Sequence, residues 1–273
     1  MALTPTGPGR LRVLDACREG WIAFGRAPWP LLLFSLLSSL AMGACVVPIA
    51  LGAAVLVMTP QAIDYPDGAL PGLIVMLVSL GAVLVGVLLL GVVALLSTLG
   101  FYRGAWLALE GQKPRFADLI QLIRWDRIVI NRLVLAWTAE QLVLLIPLGL
   151  VGLLGFDLQR QGLAPLLWWP LGLVALAWAV WFSITQTFLN PLCLFGNIKP
   201  IATVRIGILE VRRQWWRVLG LNGLMMGLML VSTFASANAL GIALIPVFIC
   251  IKLAAYRQLF GANDRLELTR SRA

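Results

Sequence analysis

Histidine is absent from this 273-residue chain, and charge is scarce: Asp, Glu, Lys and Arg together make up 12 % of it. The first absence removes the commonest general base and the commonest metal ligand. The second excludes an ordinary soluble domain, in which about a quarter of the residues are charged. Cysteine is sparse too: Cys17, Cys45, Cys193 and Cys250 show no metal-ligand spacing and read as small packing residues. Catalytic constellations are missing as well. Ser97 and Ser183 have no histidine to activate them, no carboxylate pair flanks a site, and no phosphate-binding glycine loop follows a strand. Asp64 and Asp67 share a loop, but two carboxylates alone make a poor metal site, and a solvated loop is expected. The sequence therefore predicts no enzyme activity, no metal and no cofactor.

What is abundant is apolar. Hydrophobic residues make up 60 % of the chain and the mean hydropathy is +0.93. Apolar runs at about 31–58, 72–101, 133–155, 166–189, 218–235 and 241–256 are long enough to cross a hydrocarbon core of about 30 Å. They predict an all-α polytopic membrane bundle of six transmembrane helices, a single membrane domain over 1–273. The first run is too long for a signal-peptide core, so no cleavable signal is expected. Pro48 marks the expected kink of the first span, and no other span shows a mid-membrane break.

The 21 Lys and Arg residues give a formal net charge of +9, and they are unevenly placed. In the gaps 59–71 and 156–165 the only one is Arg160, whereas 102–132 holds six and 190–217 holds five. Cationic loops stay on the cytoplasmic side during insertion, which places both termini and the basic loops there. The same bias accounts for the high pI without nucleic-acid binding, for which no recognition module is present.

Three basic gaps also carry amphipathic segments. In 9–27, Leu11, Leu14, Cys17, Trp21 and Phe24 share a helical face largely free of charge. In 115–132, after a Gly-Gln-Lys-Pro turn, Phe116, Leu119, Ile120 and Ile123 form a stripe. The third segment is 201–217. Basic amphipathic helices bearing Trp suit the membrane interface, so interfacial helices are expected on the cytoplasmic side. Each precedes a two-span hairpin, around Trp21, Trp125 and Trp215, in a threefold repeat of pattern that topology alone could also produce. Their cations and Trp residues (Arg18, Trp21, Arg124, Arg127, Arg212, Arg213, Trp215 and Trp216) are the candidate surface for anionic lipid, other membrane proteins or a second copy.

Inside the spans, Glu140 reads as the one ionisable side chain well within a helix, and an intramembrane carboxyl is a functional-site hypothesis by default. Ser183, Gln186, Thr187 and Asn190 follow at i, i+3, i+4 and i+7 on one face of the fourth span. Asn222 lies at similar depth, and Thr138 and Gln141 flank Glu140. Glu140, Gln141, Gln186, Asn190 and Asn222 are thus the candidate substrate-binding set, with interhelical hydrogen bonding as the competing role. Gly81, Gly86 and Gly91, the pair Gly223 and Gly227, and Gly149, Gly152 and Gly155 are candidate close-packing positions.

The stretches CREGWIAFGRAPWPLLLFSLL (17–37), LALEGQKPRFADLIQLI (107–123) and NPLCLFGNIKPIATVRIGILEVRRQWWRVLGLNGL (190–224) resemble a group of bacterial six-span proteins. The group includes the YciC-like proteins and the membrane domain fused to glycerophosphodiester phosphodiesterases. The resemblance implies a multi-pass protein of the bacterial inner membrane, or of an internal photosynthetic membrane, without an assigned active site. No phosphodiesterase domain is present, so that activity does not carry over. The leading expectation is a non-catalytic protein that organises, assembles or supports other membrane components through its basic cytoplasmic face. The alternative is a transporter or lipid-handling protein with a polar intramembrane site around Glu140.

Overall fold

The structure, a computed structural model, describes residues 10–63, 69–120, 127–160, 164–196, 200–236 and 239–261, with side chains at some helix ends left aside. Among these residues it is all-helical: α1 (Val13–Arg26), α2 (Pro28–Ile63), α3 (Ala69–Leu109), α4 (Phe116–Ile120), α5 (Arg127–Arg160), α6 (Ala164–Thr185), α7 (Leu189–Phe195), α8 (Pro200–Arg213), α9 (Trp215–Ser236) and α10 (Ala239–Phe260). Six segments are long and apolar enough to cross a membrane: Pro28–Met58, Gly72–Leu109, Ile130–Leu154, Trp169–Phe195, Trp215–Phe234 and Gly241–Phe260. The chain is an integral membrane protein. Asp64, Asp67, Ile123, Arg124 and Trp125 lie outside the described residues.

Helix boundaries follow local chemistry. α3 runs past the expected end of its span and stops at the Gly-Gln-Lys-Pro turn, where Gly111 takes φ +88°, a left-handed conformation that costs glycine little. The Gln112 amide donates to Leu107 O at 3.0 Å and the Gly111 amide to Ala108 O at 3.2 Å, the paired bonds of a Schellman end. Arg26 adds its guanidinium, donating from Nη1 to Ala108 O at 2.6 Å, so a cation sits where the helix dipole is negative. α2, in contrast, passes Pro48 as one helix. The break occurs elsewhere, in the fourth span. Gln186, Thr187 and Phe188 leave the helix between α6 and α7, held by 3₁₀-type bonds from Thr187 N to Ile184 O and from Leu189 N to Gln186 O. Pro191 supplies the reason: it has no amide to donate to Thr187 O, and in a continuous helix its ring would clash with that carbonyl.

Packing is concentrated at one end. Buried residues of α1, the C-terminal part of α3, α4, the start of α5, α7, α8, the start of α9 and the second half of α10 form a continuous core. This is the end at which the basic segments lie, and it is called the basic end below. α7 is central to it: Leu189, Pro191, Leu192, Cys193, Leu194 and Phe195 are all buried. Phe195 stacks on the fully buried Trp106 with centroids 4.1 Å apart, and the Arg257 guanidinium lies 5.3 Å over the same indole. Trp106 Nε1 is satisfied by Glu110 Oε1 at 2.7 Å.

α1 does not float beside this core. It packs on α10 through Ala16, Gly20 and Ala23, while Leu14 and Trp21 are exposed. Small residues make this contact; of the apolar face expected at the membrane interface, Leu14 and Trp21 stay outside it, while Leu11 is buried. A Cβ on Gly20 would lie 2.5 Å from Ile251 Cα, so only glycine allows the two backbones to meet. The Leu11 amide donates to Gln214 Oε1 at 2.7 Å and the Arg12 amide to Gln258 Oε1 at 3.0 Å, fixing the entry to the helix.

Towards the other end the helices are mostly exposed along their lengths, as expected of surfaces that meet lipid. The α2–α3 hairpin is the tightest part there, with Gly86 against Ile49 and Gly52 against Ser79 and Val83. Gly81, Gly91, Gly149, Gly152, Gly223 and Gly227 meet nothing within 4 Å of an added Cβ. Among the described residues they are not close-packing positions. Side-chain surroundings of Gly155 lie outside the description.

Candidate functional site

Two regions collect polar side chains: a layer inside the spans, one to three turns from the basic end, and the surface of that end. In the inner layer Asn190 accepts from Trp137 Nε1 at 2.7 Å and shares a side-chain hydrogen bond with Tyr102, tying α7 to α5 and α3. Asn222 Nδ2 donates to Thr187 Oγ1 at 2.8 Å and to Val218 O at 3.0 Å. These two asparagines are interhelical ties, each worth on the order of 0.6 kcal/mol. Because the helix breaks at Gln186–Phe188, the four polar residues of the fourth span do not share one face. Ser183 is exposed, Gln186 and Thr187 are buried, and Asn190 is half-buried.

Gln186 stands apart. It is 5 % exposed, and neither Nε2 nor Oε1 finds a partner. An unsatisfied buried amide costs about 1–3 kcal/mol. α8 closes over it at Gly207, where a Cβ would lie 3.5 Å from Gln186 Oε1 and 3.2 Å from Thr185 O. Gln141 is exposed and takes no part in the layer.

Glu140 is half-buried on α5, and it is not the only ionisable group deep in a span. Lys252 lies within the Gly241–Phe260 span, and the charges of Glu140 and Lys252 act on each other. The Glu140 charge also reaches Cys193 on α7. A sixth span ending near Tyr256 puts Lys252 one turn from its boundary, where a lysine reaches the interface. α10 instead continues to Phe260, carrying Lys252 about 12 Å inside the helix end. The break in the fourth span was likewise missed, although Pro191 signals it.

At the basic end, Arg18, Trp21, Arg212, Arg213 and Trp216 are exposed, and Arg213 pairs with Glu210 at 3.5 Å. Trp215 is half-buried with its Nε1 unpartnered and packs edge-on against Trp216. Arg127 opens α5, with its side chain outside the description. Trp29 joins this surface, 80 % exposed between Pro28 and Pro30. Arg10, Leu11, Arg12, Val13 and Arg217 line an open cleft of about 440 Å³. Trp215 and Trp216 begin α9 rather than ending α8. Cys17, half-buried on α1, has its thiol pushed above the ordinary range by burial, which suits packing rather than reactivity. Among the described residues no cluster of His, Cys, Asp and Glu is arranged to hold a metal ion.

No family model matches the chain, and no curated protein or solved structure is significantly similar to it.

Proposed function

We propose that this chain is a non-catalytic lipid-handling protein of the bacterial inner membrane. In this reading it holds an amphiphile inside its bundle and rests through its basic end on the anionic cytoplasmic leaflet. The observation that carries the reading is the pair Glu140 and Lys252, two opposite charges set within spans, which act on each other without closing an ion pair among the described residues. A charge near mid-membrane costs about 3 kcal/mol on insertion scales, and such residues face a cavity or a partner. The broken fourth span and the unsatisfied Gln186 at its break support the same reading, since interrupted helices in membranes line sites. The resemblance to the YciC-like group agrees with a multi-pass inner-membrane protein and rests on the quoted stretches alone.

A second reading has its own support. Exposed Trp21, Trp29 and Trp216 beside Arg18, Arg212 and Arg213 make a surface that fits a protein which organises or assembles other membrane components, or itself. Purification in mild detergent, followed by mass spectrometry of everything co-isolated, separates the two. Lipid handling predicts phospholipid at about one per chain, reduced at least severalfold in Glu140→Gln and Lys252→Gln. A reproducible protein partner with no retained lipid would replace it with the organising role.

A further inference from the structure

Three helix ends meet at the basic end of the molecule. α1 begins there at Val13, Arg217 lies in the first turn of α9, and Gln258 lies in the last turn of α10. Two side-chain hydrogen bonds lock the stretch before α1 against the other two. The Leu11 amide donates to Gln214 Oε1 at 2.7 Å, and the Arg12 amide donates to Gln258 Oε1 at 3.0 Å. Leu11 is buried at this seam. The same Gln214 oxygen accepts from Arg217 Nη1 at 3.4 Å, which holds that guanidinium beside the stretch.

The open cleft of about 440 Å³ lies here, lined by Arg10, Leu11, Arg12, Val13 and Arg217. Small-ligand sites span about 300–1,000 Å³, so a head group fits the volume. Three guanidiniums and no carboxylate line it. Asp15, just outside, takes one of them, pairing with Arg12 at 3.6 Å. Among the described residues Arg10 and Arg217 close no ion pair. Arginine forks match phosphate oxygens in pairs. Two uncommitted cations balance a phosphomonoester, which carries about −1.5 to −2 at neutral pH. A phosphodiester, with a single charge, leaves one guanidinium unanswered.

The level of the cleft and its neighbours point to a lipid. The fifth and sixth spans, Trp215–Phe234 and Gly241–Phe260, have their basic-end termini beside it. Leu14 and Trp216, next in sequence to Val13 and Arg217, are exposed. An apolar side chain and an indole at that level fit the boundary between head groups and acyl chains. A soluble phosphate would leave both of them in water.

We propose that the cleft binds the head group of a lipid phosphomonoester of the phosphatidic acid type. Its phosphate sits between Arg10 and Arg217, and its acyl chains enter the leaflet past Leu14 and Trp216. The inference rests on the part of the lipid-handling reading that sets the basic end on the anionic leaflet, and it does not involve Glu140 or Lys252.

The test is competition on the full-length protein in mild detergent, stripped of lipid and offered equal amounts of phosphatidic acid and phosphatidylglycerol with the same acyl chains. Bound lipid is counted by native mass spectrometry. Phosphatidic acid should be favoured about tenfold, the gain from one further charge-assisted contact. Arg10→Gln with Arg217→Gln should bring the ratio near unity. Arg212→Gln with Arg213→Gln removes the same charge elsewhere at the basic end and should leave the ratio unchanged. Glu140→Gln should also leave it unchanged while lowering the lipid that co-purifies, so the two sites fail separately. Equal retention of the two lipids by the unaltered protein, or of neither, would overturn the assignment, and so would an equal loss of preference in the two double variants. Glycerol 3-phosphate should not compete; displacement of phosphatidic acid by an equal concentration of it would assign the cleft to a soluble phosphomonoester instead.

Discussion

The basic end and the opposite, apolar end of the molecule are built from the same helices under different rules. At the basic end side chains interlock: Trp106 on Phe195, Gly20 on the backbone of Ile251, Arg26 on the last carbonyls of α3. Towards the other end Leu153, Val174 and Phe234 project from their helices with more than half of their surface open. In a bilayer the second arrangement is stable because lipid tails are as apolar as leucine, so exposing leucine there costs nothing. Cohesion has to come from close contact, hydrogen bonds and charge, and these are concentrated at the basic end.

That contrast can be broken by substitution. Trp106→Ala should have the largest effect, a loss of about 3–5 kcal/mol from a filled core position. Leu153→Ala at the open end should change stability by well under that amount. Thermal unfolding in mild detergent measures both, and equal midpoints for the two variants would abolish the distinction. Gly20→Leu comes next. Its side chain must displace the α10 backbone, an overpacking cost of about 1–3 kcal/mol, whereas Gly223→Leu has open space and should be near neutral. If Gly20→Leu is as stable as the parent, α1 is not docked as described. The smallest perturbation is Lys113→Cys or Arg212→Cys, both at exposed positions, which should leave stability unchanged. Labelling of intact cells with a membrane-impermeant maleimide should miss both residues if the basic end is cytoplasmic, and labelling from outside would invert the proposed orientation.

The difference between the two ends also explains what the residues disclosed unaided. Six spans were readable from composition, because crossing hydrocarbon is a bulk property of a long apolar run. The docking face of α1 was not. The apolar face read from the residues is assigned to the membrane interface, and nothing in that pattern points to Ala16, Gly20 and Ala23, which make the helix contact because small residues let backbones approach. Of the candidate site, Glu140 was legible as a lone carboxyl in an apolar run, while its counterpart Lys252 was hidden by a helix end placed too early. Asn190 and Asn222 were legible as polar, but only their partners, Trp137 and Thr187, show that they tie helices together. Pro48 and Pro191 show why local rules need context. The former sits within an unbroken helix, and the latter follows a three-residue interruption.

The docking of α1 on α10 has a consequence in time. Arg12 and its partner Gln258 are 246 positions apart in the chain. At about 5–20 residues per second of synthesis, the first helix is made on the order of tens of seconds before the surface that receives it. The α2–α3 hairpin closes from neighbouring segments and has no such delay. During that interval the exposed Leu14 and Trp21 suit α1 to rest on the membrane surface. The seam between first and last helices is therefore a late step in assembly, and a ribosome that stalls before α10 would leave the basic end open.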